Sequence, residues 1–119
     1  MEDFIIREID RIGEMLMKIA RKLGLLDGCA QDYTLADVKE EFGKASLPFD
    51  LESVIREDNP ILYLVEKVEL SNQGIEFFID ILFHSDLDDA VKEALLKDAL
   101  AYLDSRGYYS FRLHSLVSK

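Results

Sequence analysis

The chain has no tryptophan, a single cysteine (Cys29), two prolines and six glycines in 119 residues. One cysteine cannot close an intramolecular disulfide, so the fold must hold without such bridges, and a reducing compartment is implied. So few prolines and glycines leave room for long regular elements and exclude collagen-like or linker-like composition. Long apolar runs are also missing. No uncharged stretch exceeds the seven residues from Asn59 to Val65, far short of the ~20 needed to span a bilayer. The start, Met1-Glu2-Asp3-Phe4, is acidic where a secretory signal carries basic residues. These absences predict a cytoplasmic protein that neither crosses nor binds a membrane.

Positive charge is the scarcer sign. Fourteen Lys and Arg stand against 24 Asp and Glu, a formal charge of −10. The acids are spread along the chain, and such a field repels phosphate backbones, so nucleic acid is excluded as an expected partner. Hydrophobic residues make up 49% of the chain. That is normal for a globular protein, and the length fits one domain, residues 1–119, able to bury its own core.

Helical periodicity is clearest at the start. Ile5, Ile9, Ile12, Leu16, Ile19 and Leu23 recur at steps of four and three, which predicts an amphipathic helix from about Glu2 to Leu23. Gly13 falls off this stripe, and Gly24 offers a stop. The stripe suits either an internal core or a homodimer seam; core is the simpler reading, because three heptads make a short coiled coil. Thr34, with Asp37 reaching back, predicts a capped helix to Phe42, where Gly43 breaks the pattern. Asp50 opens a short helix with Leu51, Val54 and Ile55. Asn59-Pro60 opens another, whose Ile61, Leu62, Leu64, Val65 and Val68 are apolar nearly all round and are expected in the core.

A further helix is expected from Ser71 to His84. Asp86 or Asp88 then caps a helix ending at Arg106 before Gly107, with Val91, Leu95, Ala99, Tyr102 and Leu103 inward. Tyr108 to Lys119 reads as a last short helix. No segment alternates with period two. The expected fold is all-α, about six helices in antiparallel hairpins, either tetratricopeptide-like or an irregular bundle.

Phe4-Ile5-Ile6-Arg7-Glu8-Ile9, the segment around Leu51 to Ile55, and Ala101-Tyr102-Leu103-Asp104 with Tyr109-Ser110-Phe111 resemble an uncharacterised group of small bacterial helical proteins that look like tetratricopeptide-type hairpins. The resemblance implies helical hairpins and room for a groove. No activity is assigned to the group, so no functional residue carries over.

Candidate chemistry is sparse. Glu76, Asp80 and His84 recur at helical spacing, and two carboxylates with an imidazole can hold a divalent metal or run acid–base chemistry. Against that, no second histidine stands at ligand spacing, and a histidine near a helix end favours the helix dipole without further role. Asp86, Asp88 and Asp89 resemble the start of a calcium loop. The loop's glycine is replaced by Val91, and Lys97 stands where its last carboxylate belongs, so helix capping is the expected role. Cys29 lies between Asp27 and Asp32, surroundings that disfavour a thiolate nucleophile. His114, among Leu113, Leu116 and Val117, reads as a packing residue. No phosphate-binding glycine loop or nucleophile elbow occurs. The expectation is therefore no catalytic, cofactor-binding or metal residue, and a non-enzymatic protein-interaction module; a small enzyme or metal-binding protein using the Glu76/Asp80/His84 face is the alternative. The tail Tyr108 to Lys119 is apolar enough to be either a detachable recognition element or part of the core, and core is favoured.

Overall fold

The computed structural model describes residues 2–25, 33–47 and 49–117, with side chains from Arg11 onward. The described residues form seven α-helices and no strand: α1 Glu2–Lys22, α2 Leu35–Ala45, α3 Leu51–Arg56, α4 Pro60–Tyr63, α5 Asn72–Phe83, α6 Asp89–Ser105 and α7 Phe111–Val117. A π-helical turn, Leu64–Val68, continues α4.

Capping chemistry sets most of the starts. The Asp37 amide donates to Thr34 Oγ1 while Asp37 Oδ2 accepts from the Thr34 amide, the reciprocal box read from the sequence. Asp50, Asn59, Ser71 and Asp88 each accept an amide from the first turn of α3, α4, α5 and α6. Gly43, expected to break α2, lies inside it with open space around it. A glycine costs only about 1 kcal/mol in a helix interior. The helix stops instead where Ser46 turns left-handed at φ 55°.

α5 is the centre of the bundle, with α1, α2, α6 and α7 packed against it. Its partner of greatest contact is α1, four helices earlier in the chain, and not a sequence neighbour. Gly13 lets these helices approach closely. A Cβ on Gly13 would lie 3.1 Å from Ser71 Oγ and 3.6 Å from Gly74 Cα. Gly13 is thus buried against α5, whereas the sequence placed it off the packing stripe. The described part of that stripe does turn inward: Leu16 and Ile19 are buried, and Ile12 and Leu23 pack on the core. One contiguous core cluster takes residues from all seven helices, with Phe78 of α5 fully buried inside it.

The segment after Asn59 departs from expectation. Ile61 and Leu64 are buried, Val65 and Val68 only partly, and Leu62 is 48% exposed. α4 is a single turn that widens into the π turn, so its apolar residues do not share one inward face. The turn ends with Glu69 at φ 59°, and the Leu70 amide returns to the Leu64 carbonyl at 3.0 Å. In α6, Leu95, Ala99 and Leu103 are buried as expected, Leu96 is buried beside them, and Val91 and Tyr102 are only half-buried. No helix among the described residues is long and apolar enough to cross a membrane.

Candidate functional site

The chain folds back after α6 because Gly107 takes φ 73°, a left-handed turn that a Cβ would strain. The amides of Gly107 and Tyr108 donate to the Asp104 and Leu103 carbonyls, and α7 then runs against α5 and α6. Ser110, buried, caps α7 by accepting the Leu113 amide at 3.1 Å. Its hydroxyl also donates to Glu76 Oε2, and the Tyr108 hydroxyl donates to Glu76 Oε1 at 3.1 Å.

One turn further along α5, Asp80 accepts from Arg112 Nη1 at 2.8 Å. The Arg112 guanidinium sits 5.0 Å above the centre of the Phe77 ring, close enough for a cation–π contact. His84 Nδ1 lies 3.3 Å from Asp80 Oδ1 and 2.9 Å from the Asp80 carbonyl oxygen. The face Glu76/Asp80/His84 therefore does come together on one side of α5. Its carboxylates moor the C-terminal segment: Glu76 takes two hydroxyls and Asp80 a guanidinium. Tyr33 adds to this region by donating to the Ile81 carbonyl at 2.6 Å. Burial, with the Asp80 charge adding to it, pushes the Tyr33 hydroxyl far above its ordinary alkaline range.

The other sequence candidates separate. Asp86 Oδ1 accepts the Leu35 amide at 2.7 Å and so caps α2, 51 residues away. Asp88 caps α6, and the Asp89 side chain is 96% exposed with Lys92 at 3.9 Å. Among the described residues, no three His, Cys, Asp or Glu side chains are grouped to hold a metal ion. Cys29 lies outside the described residues.

The C-terminal segment divides between core and water. Leu113 and Leu116 enter the core. Phe111 is 81% exposed, and Tyr109 and Val117 are each 59% exposed. The Tyr109 ring meets Phe111 edge-on at 4.8 Å and stacks on half-buried His114 at 4.4 Å, with 9° between planes. His114 Nε2 is shielded and has no hydrogen-bond partner. The result is a continuous surface of three rings, held by a moored helix. It lies in the longest acid-free stretch of this acidic chain, residues 105–119, which carries Arg106, Arg112 and Lys119. The acid-free run was readable from the sequence, and the spacing of Leu113 and Leu116 already puts Phe111 on the opposite side of a helix. The ring contacts were not readable.

Three clefts offer alternatives. One of about 670 Å³ lies between α2 and α3, floored by Phe42, Leu47 and Phe49. Its acids are engaged: Asp50 caps α3, and Glu52 accepts from Lys39, whose hydrogen bond holds Glu52 below the usual carboxylate range. A second, about 260 Å³, brings Lys18, Lys22 and Lys44 around Glu41. A third, about 220 Å³, adjoins Leu62 on α4. None of the three is lined by Glu76, Asp80 or His84. In comparisons with known proteins, no family model, no curated protein and no solved structure matches this chain.

Proposed function

We propose that this chain is a non-enzymatic protein-interaction module of the cytoplasm, and that the aromatic surface of Tyr109 and Phe111, backed by His114, is where it binds. The observation that carries the reading is Phe111, a large apolar side chain left 81% in water on a helix whose other face is anchored. Aromatic residues clustered on a surface mark contact sites, because covering them removes apolar area from water at small cost in side-chain freedom. The mooring through Glu76 and Asp80 supports it further, since a preorganised surface loses less entropy on binding. The absence of acids from residues 105–119 favours a partner surface that pairs an apolar hollow with carboxylates. The resemblance to small helical proteins fits an interaction role and supplies no residues of its own.

A photoreactive phenylalanine placed at position 111 tests the reading, with the same group at exposed Glu93 of α6 as control. Irradiation in cells should give a discrete protein adduct from position 111 alone, identified by mass spectrometry. Phe111→Ala should weaken the isolated complex about 30-fold, the scale of an aromatic hot spot worth about 2 kcal/mol. Identical adducts from both positions would remove the reading.

A further inference from the structure

We infer that the partner surface is supplied by a second copy of this chain, through its α4 edge; this rests on the aromatic surface being a binding site. Among the described residues, four large apolar side chains are strongly exposed: Tyr109, Phe111, Val117 and Leu62. The first three belong to the acid-free stretch. Leu62 has the opposite setting. It borders the cleft of about 220 Å³ together with Glu57, Asp58, Tyr63, Glu66 and Lys67. Asp58, Leu62 and Glu66 are spaced by four, and all three are exposed. Between residues 57 and 69 there are four acids and one lysine.

The two exposed apolar patches thus differ in charge: the α4 edge is acidic, whereas the α7 stretch has no acid and keeps Arg106 exposed, Arg112 being paired with Asp80. The cleft is smaller than the ~300–1,000 Å³ of small-molecule sites, which suits it to one inserted side chain. Phe111 is the most exposed large apolar side chain described. Docking Phe111 of one copy beside Leu62 of the next covers both and brings an acid-free segment, with exposed Arg106, against carboxylates. Like patches, in contrast, would place α4 acids against α4 acids. The contact is therefore heterologous, α7 of one copy to α4 of another, and not a pairing of identical surfaces. It is small, so the association is weak and salt-sensitive.

Sedimentation of the full chain at about 10–500 μM should show concentration-dependent self-association that weakens as salt rises. Phe111→Ala and Leu62→Ala should each weaken it at least about tenfold with the thermal midpoint little changed, because both side chains face water. Glu66→Lys, at an exposed position on the same edge, gives the α4 side a second variant that leaves the apolar packing alone. The decisive arm mixes Phe111→Ala with Leu62→Ala. A heterologous contact leaves one intact α7 and one intact α4 in the mixture, so a one-to-one complex should return where each variant alone is monomeric. A wild-type chain monomeric at the highest concentration overturns the inference, as does association indifferent to Leu62 and Glu66, or a mixture that stays monomeric. A different protein cross-linked at position 111 by a monomeric chain would sink this inference and leave the interaction reading standing. No adduct specific to position 111 would sink both.

Discussion

Removing the Arg112 guanidinium tests the mooring of α7 directly. Arg112→Met keeps an unbranched stem over Phe77 and deletes the charge that faces Asp80. The Asp80 side chain is 4% exposed and the Arg112 side chain 33%. Water can therefore reach the arginine and not the carboxylate. Deleting one partner of a buried ion pair costs about 3–5 kcal/mol, because the remaining charge stays desolvated. We expect the lower end, about 3 kcal/mol, since the pair has one edge in solvent. Asp80→Asn leaves the exposed partner, which rehydrates, and should cost only about 1–2 kcal/mol. With an unfolding entropy of ~2.1 cal/mol/K per residue, the arginine variant should melt about 12 °C lower. Urea unfolding followed by circular dichroism gives both free energies and, with the double variant, their coupling. In the Asp80→Asn background, Arg112→Met should cost about 1 kcal/mol. If Arg112→Met costs less than Asp80→Asn, water reaches Asp80 and the reasoning fails.

Ending the chain at Gly107 removes buried Leu113 and Leu116, the guanidinium on Asp80 and both hydroxyls on Glu76. Each leucine is worth about 2–5 kcal/mol against a typical domain stability of ~5–15, so the truncated chain should be largely unfolded by circular dichroism; a retained midpoint would show that α7 is not part of the core. Gly43→Ala and Gly74→Ala should move the thermal midpoint in opposite directions. The first meets open space and gains helix propensity, about 0.5–1 kcal/mol; the second puts a Cβ 2.6 Å from Leu70 Cδ1 and should lose about 1–2 kcal/mol. Tyr33 predicts alkaline sensitivity. Its hydroxyl stays protonated in the native state well above 10, while the unfolded chain ionises near 10. The unfolded state then binds fewer protons, so stability falls as pH rises above about 10, by up to about 1.4 kcal/mol per pH unit. Tyr33→Phe should flatten that slope, and an unchanged slope would refute the assignment.

Much of the helix plan was legible from sequence because it is decided within four residues. Thr34 with Asp37, Asp50, Asn59-Pro60, Ser71, Asp88 and Gly107 all act where the sequence placed them. A cap satisfies amides of its own first turn, so no distant partner is needed. Gly43 was misread as a stop for a related reason: its local cost is small enough for tertiary packing of Val38 and Phe42 to override.

What the sequence could not decide were pairings between distant segments. Asp86 reads locally as a cap for α6, yet it serves α2. Glu76, Asp80 and His84 form one face by helical spacing alone, so the sequence showed the face and not its occupant. Arg112, Tyr108 and Ser110 lie 32 to 34 residues further on in the chain. Gly13 and Gly74 look like weak points in two separate helices until the helices cross at them. The sequence by itself determined an acidic, all-helical chain with its helix starts marked. Only the tertiary structure decided that the last segment splits, two leucines inward and two aromatic rings outward. A helical period states which residues share a side, whereas the direction that side faces depends on the apolar and charged groups that other elements bring to it.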